Sequence, residues 1–189
     1  MKKKSTIIFG AVLLLVVIVV VTVISSYNGL VNAEQTVEEK ESTIDVMLTR
    51  RADLIPNLVN TVKAYAAHEE DIYTDLANAR AKMAGNAGID EKLEANAQLD
   101  SALSRLLVVV ENYPELKASE QFIALQDQLE GAENRISTAR TDYNKAVKTY
   151  TVKIRRFPSN IIAKLFGFES KEMYEAPEGS QQTPVVDFS

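Results

Sequence analysis

RRADLIPNLVNTVKAYAAHE, residues 50–69, holds two adjacent arginines, an acid, a proline inside a helical pattern, an asparagine and the only histidine of the chain. Leu54, Leu58, Val62 and Tyr65 recur at spacings of four, four and three, with Ile55 and Val59 alongside. That is the inward face of an amphipathic helix. Pro56 has no N–H to offer, and its ring crowds the carbonyl of Ala52 one turn earlier. Either a long helix kinks here, or a second helix starts near Asp53, which would cap it and leave Pro56 in the tolerated first turn. The apolar pattern upstream stays in register, which favours the kink.

Working back from this stretch, residues 27–66 read as one long helix. Leu30, Val37, Ile44, Leu58 and Tyr65 share one heptad position, and Leu48, Ile55 and Val62 share a neighbouring one. Arg51 interrupts the first series. Coiled-coil-like patterns use such polar interruptions to set register. Arg51, Asp53, Asn57 and His68 therefore carry two readings. One is a polar interaction site where a kink frees backbone groups. The other, favoured on general grounds, is a partly buried ion pair and amide that fix how neighbouring helices dock.

Further back, residues 7–24, IIFGAVLLLVVIVVVTVI, form 18 residues without a charge. A helix of that length reaches about 27 Å, close to one hydrocarbon core. Lys2, Lys3 and Lys4 precede it and the acids follow it, so the positive-inside rule puts the N-terminus in the cytoplasm. A cleaved signal peptide competes with this reading through Val31-Asn32-Ala33, a loose small-x-small site. The apolar run is long for such a peptide and the site lies far beyond it.

Working forward, Ile72, Leu76, Ala79 and Met83 mark a helix over about 68–84, and Gly85-Asn86-Ala87-Gly88 breaks it. Asp90 is placed to cap a third helix to about Asn112, with Leu99, Leu103, Leu106 and Val110 inward and Tyr113-Pro114 at its end. Ser119 is placed to cap the longest helix, carried by Phe122, Leu125, Leu129, Ala132, Ile136, Ala139, Tyr143, Ala146 and Tyr150. Phe157-Pro158 closes it. SNIIAKLFGF follows, with Lys153, Arg155, Arg156 and Lys164 close by. Its Ile161, Ile162, Lys164, Leu165 and Phe166 read either as a membrane-surface segment or as an apolar cover folded back on the long helices. The tail is Pro-, Gly- and Gln-containing and has little to bury, so it is expected to be disordered.

Composition limits the chemistry. Without cysteine there is no disulfide, thiolate nucleophile or Cys-built zinc site. All 26 acids lie beyond residue 33, facing 18 of the 21 basic residues, a net −8 beyond the anchor. Such a domain is a poor nucleic-acid binder. There is no phosphate loop and no nucleophile elbow. His68-Glu69-Glu70-Asp71 has the wrong spacing for a helical metal face and fits an acidic helix start. The sequence assigns no catalytic residue, cofactor or metal.

Several ordered motifs then resemble one known family. They are Tyr27-Asn28-Gly29-Leu30-Val31, RRADLIPNLV at 50–59, Val62-Lys63-Ala64-Tyr65, His68-Glu69, Leu103-Ser104-Arg105-Leu106-Leu107 and ENYPELKA at 111–118. Glu133-Asn134-Arg135-Ile136, Arg140, Tyr143-Asn144, Phe157-Pro158-Ser159-Asn160 and Gly167-Phe168 continue the series. Together they resemble the LemA family of bacterial membrane proteins, from about Tyr27 to Phe168. The resemblance implies an all-α antiparallel bundle behind an N-terminal membrane helix, and it carries no catalytic residues with it.

The expected fold is therefore all-α, an N-terminal transmembrane helix followed by an elongated antiparallel four-helix bundle with long first and last helices. Residues 1–26 form the anchor, 27–170 the LemA-like bundle and 171–189 the disordered tail. At 1.5 Å per residue the four helices measure roughly 60, 25, 35 and 57 Å, so the first and last outreach the middle pair. The expected function is a non-enzymatic interaction or scaffold protein of the bacterial cell envelope, single-pass, N-terminus cytoplasmic and bundle extracytoplasmic. Its expected partners are membrane lipid through residues 7–24 and an envelope protein or peptide, with no nucleic acid. Two alternatives stand beside it: an envelope enzyme with a polar site near the Pro56 kink, and a sensory membrane component, which has only about six residues inside on which to act.

Overall fold

The computed structural model describes residues 2–174, with side chains from residue 8. Its regular elements are seven α-helices: α1 (Lys2–Ala52), α2 (Ile55–Lys63), α3 (Glu70–Ala84), α4 (Ile89–Val110), α5 (Pro114–Lys117), α6 (Glu120–Arg155) and α7 (Ser159–Phe166). The described residues contain no strand. The chain divides into two compact units, one from residues 1–38 and from 143 onward, the other from residues 39–142. The tail beyond 174 lies outside the described residues.

The apolar run makes α1 the one described helix long and apolar enough to cross a membrane, with a mean hydropathy of 3.2 over its best window. None of that window is covered by the rest of the protein.

In the second unit the junction before Pro56 combines the two expected geometries. The Asp53 N–H still donates to the Thr49 carbonyl at 3.0 Å, but the Leu54 N–H tightens onto Arg51 at 3.1 Å. Leu54 stays right-handed helical (φ −78°, ψ −24°), with no side-chain cap, so Asp53 does not cap α2. Pro56 occupies the first turn of α2, where its missing N–H costs least. The helix ends at Lys63, earlier than the expected 66. The heptad series accordingly stops short: Leu58 and Val62 are buried, whereas Tyr65 is 43% exposed in the turn and Ala66 is buried beyond it.

Ile72, Leu76, Ala79 and Met83 of α3 are buried at their predicted spacing. Glu70 and Asp71 form its first turn, where acids complement the helix dipole. The Tyr73 hydroxyl donates to the Ala66 carbonyl at 2.5 Å, and Lys63 Nζ sits 4.9 Å from the Tyr73 ring centre. These two contacts close the α2–α3 turn. Extended Gly88, rather than Asp90, precedes α4, and Asp90 falls inside the first turn. Leu99, Leu106 and Val110 are inward with Ala95 and Ala102, while Leu103 is only half-buried. The Tyr113-Pro114 break holds a short helix that local pattern did not predict. Pro114 opens α5, and Leu116 within it is fully buried.

Helix pairings fix directions inside this unit. Asp75 with Arg105 and Lys82 with Gln98 run α3 against α4 in opposite senses. Asp45 with Lys92 and Arg51 with Asp100 run α1 and α4 in the same sense.

In the first unit α1 and α6 run oppositely. Lys153 Nζ donates to the Gly29 carbonyl at 3.1 Å, and Glu34 lies beside Tyr150. Tyr143, Val147 and Tyr150 are buried; Val147 takes the inward place expected of Ala146, at spacings of four and three. Helix α7 then packs Ile162 and Ala163 on Leu30, with Val23, Ile154 and Phe168 around them. Gly167 (φ +77°) reverses the chain after α7 in the left-handed conformation that favours glycine. The N–H groups of Gly167 and Phe168 both donate to the Ala163 carbonyl. Beyond it, Asn144 grips the Tyr174 backbone with Oδ1 and Nδ2, each at 2.9 Å.

Candidate functional site

Arg51 is the most deeply buried cation of the described chain, 3% exposed, at the foot of the Pro56 bend. Its Nη1 donates to Asn96 Oδ1 and to Glu133 Oε2, both at 2.6 Å, and its Nη2 donates to Asp100 Oδ1 at 2.5 Å. Asn96 Nδ2 donates to the same Glu133 oxygen at 3.3 Å. One arginine thereby joins α1, α4 and α6. A guanidinium suits this because it is planar, always charged and offers donors in a fixed fork. Among the described residues Arg51 Nε meets no acceptor.

Asn96 is itself buried, whereas Asp100 and Glu133 keep partial access to water. The two acids more than balance the buried charge. A second, simpler pair lies on the same helices, where buried Lys92 donates to Asp45 Oδ1 at 2.5 Å.

Beside the arginine cluster the helices leave a cleft of about 230 Å³. Leu58, Leu103, Leu107, Phe122 and Leu129 form its apolar lining, and Asp100, Glu130 and Glu133 supply the acids. The Ser104 hydroxyl at its edge donates to the Asp100 carbonyl at 2.8 Å, so it bonds along its own helix.

Of the four residues singled out around the bend, the structure places only Arg51 in this cluster. Asp53, Asn57 and His68 are exposed. Arg51's hydrogen-bond partners come from α4 and α6, 45 to 82 residues away in sequence. His68 lines a separate shallow polar hollow with Glu69, Glu70 and Asp71. Sequence reasoning missed Asn96, Asp100 and Glu133. Asn96 did leave a signal, since it stands three residues before Leu99 in the inward stripe of α4.

The segment after α6 divides. Ile162 is buried, whereas Ile161, Leu165 and Phe166 are exposed, and so is Lys164. Phe166 nonetheless stacks toward Tyr27 with ring centres 4.8 Å apart, and Phe168 meets the same ring at 5.8 Å.

These features define an all-helical protein with one N-terminal span-length apolar helix and a buried arginine cluster under an apolar, acid-edged cleft. The LemA family model matches residues 40–188, and the chain belongs to that family. The match begins later and ends later than the motif series read from the sequence. Among relatives, magnetosome protein MamQ 2 of Paramagnetospirillum magneticum is 31% identical over 191 residues, covering 87% of this chain and 70% of the relative. MamQ of Magnetospirillum gryphiswaldense is 27% identical with the same coverage. Protein LemA of Metamycoplasma hominis is 23% identical over 153 residues, covering 80% of this chain and 69% of the relative.

Proposed function

We propose that this chain is a membrane-anchored, non-enzymatic interaction protein of the bacterial cell envelope. In this reading α1 crosses the membrane once with its N-terminus cytoplasmic, and the remaining helices lie outside. Helices α1, α3, α4 and α6 form an antiparallel four-helix bundle, for which the alternating pair directions are the support. The cleft beside Arg51 docks a partner segment that carries apolar side chains and Lys or Arg.

One observation carries the docking reading. The cleft has an apolar lining and an acidic edge, and the only cation in that lining is already held by two carboxylates and an amide. An apolar-basic segment complements such a surface in shape and in charge. The MamQ relatives carry a structure, not a reaction, in their name, which agrees with a part in assembly.

The test uses photoreactive residues at Leu107 and Gln126 in the cleft and at exposed Val108 as control, in the full-length protein in cells. The expected result is a peptide adduct from the cleft positions alone, mapping to a segment rich in Leu, Ile, Lys and Arg. Glu130→Lys at the cleft edge should suppress it. Adducts equally abundant from Val108, or insensitive to Glu130→Lys, would refute docking in the cleft.

The cleft does open beside the bend, as the envelope-enzyme alternative requires. Its two best-placed acids, Asp100 and Glu133, are engaged by Arg51. A small molecule retained by the purified protein and converted by it, with conversion lost in Ser104→Ala or Glu130→Gln, would establish that alternative in place of the interaction reading.

A further inference from the structure

Helix α7 has two apolar sides, and the fold covers one of them. Ile162 and Ala163 are buried on Leu30. Ile161 and Leu165, one turn apart on the other side, are 56% and 74% exposed, and Phe157 just ahead of the helix is 75% exposed. An exposed Phe, Ile and Leu together in nine residues of helix and approach, 157–165, are more than the scattered apolar residues of an ordinary surface.

The residues α7 leans on locate it. Val23 belongs to the apolar run of α1, and Tyr27 follows one turn later. The uncovered side of α7 therefore stands at the level where the span ends, within the same compact unit. Lys153, Arg155, Arg156 and Lys164 are all exposed around it, and Lys153 is pinned to the Gly29 carbonyl one turn past the run. Glu169 and Glu172 are the exposed acids that follow on the same segment. Apolar side chains with basic neighbours and an aromatic cluster at the end of a span match the chemistry of the lipid interface.

We propose that α7 is a second membrane contact, with Phe157, Ile161 and Leu165 in the interfacial layer of the bilayer that α1 crosses and the four cations over anionic headgroups. The proposal rests on the membrane-anchored reading above. It makes the segment an anchor of orientation: α1 alone leaves the protein free to rotate about the span, whereas α7 fixes which side meets the lipid.

The absence of cysteine allows a clean test. Single Ile161→Cys, Leu165→Cys, Val16→Cys and Val108→Cys variants of the full-length protein are labelled with a nitroxide. They are reconstituted in liposomes of phosphatidylethanolamine and phosphatidylglycerol. Collision with oxygen, relative to a water-soluble nickel chelate, reports depth. The ratio at 161 and 165 is expected to exceed that at Val108 several-fold and to fall below that at Val16. Arg156→Glu with Lys164→Glu should lower the ratio at 165. If 161 and 165 read like Val108 while Val16 stays lipid-exposed, the α7 contact is wrong and the anchor stands. If Val16 reads as aqueous, the anchor itself fails and the α7 contact with it. Labels at 161 and 165 shielded from both reagents would mean that protein covers this side, which also overturns the proposal.

Discussion

Arg51 shows how a residue in an apolar register survives there. Its position in the Leu30–Val37–Ile44–Leu58 series forces the guanidinium inward, and an uncompensated buried cation would cost several kcal/mol. Asn96, Asp100 and Glu133 supply the compensation from helices far away in sequence. Replacing Arg51 by Met should therefore cost about 3 kcal/mol, since the buried hydrogen bonds go and two acids are left facing each other. The lower end of the usual range applies because both acids keep access to water. Arg51→Lys should recover little of it, because an ammonium lacks the planar fork that reaches three acceptors. In contrast, Arg51→Met with Asp100→Leu and Glu133→Leu should return to within about 1 kcal/mol of the parent, since apolar replacement of a whole buried cluster is often neutral. Urea unfolding of the four proteins checks this. A triple variant no more stable than Arg51→Met would mean that the cluster does more than balance charge.

At the scale of elements, the turn after α7 is a place where one backbone conformation decides a contact. Gly167 at φ +77° lets the Phe168 N–H return to the Ala163 carbonyl at 2.9 Å and brings its ring to Tyr27. Gly167→Ala should cost about 1 kcal/mol, read as faster hydrogen exchange at the Phe168 amide. Unchanged exchange there would show that the turn is held by other contacts. This element also shows what the sequence could reveal. Local signals were legible: the Gly85–Gly88 break, Ser119 and Phe157-Pro158 each mark a helix boundary through a local preference of the residues themselves. The inward stripes of α3 and α6 were legible because period and burial coincide. What failed was where neighbours, not local chemistry, decide. The heptad put Tyr65 inward, yet α2 stops at Lys63 and the register stops with it. Local rules saw only a break at Pro114, while Leu116 folds α5 against the core. The partners of Arg51 lie too far along the chain for any periodicity to pair them.

At the scale of the molecule, each compact unit holds a tyrosine whose protonation is tied to the fold. Burial pushes the Tyr150 phenol up to about 12, and the carboxylates of Glu34, Glu169 and Glu38 push the same way. Glu34 contributes most among the three, yet the buried hydroxyl makes no hydrogen bond of ordinary geometry among the described residues. In the second unit burial also raises Tyr73, with Glu69 and Tyr113 adding to it. An unfolded tyrosine loses its proton near pH 10, so between there and the folded value the native state holds more protons than the unfolded chain. Stability then falls as pH rises. The contribution of each tyrosine is fully present below about pH 10 and is lost as pH climbs through its folded pKa. Melting temperature should thus hold level from neutral pH to about 10 and drop steeply toward 12. Tyr150→Phe removes one such group. It should leave stability at pH 7 within about 1 kcal/mol, because the hydroxyl has no well-formed hydrogen bond to lose, and it should make the alkaline drop shallower. Thermal unfolding of both proteins across this range decides the point. An equally steep drop in Tyr150→Phe would show that Tyr150 is not the source of the alkaline sensitivity.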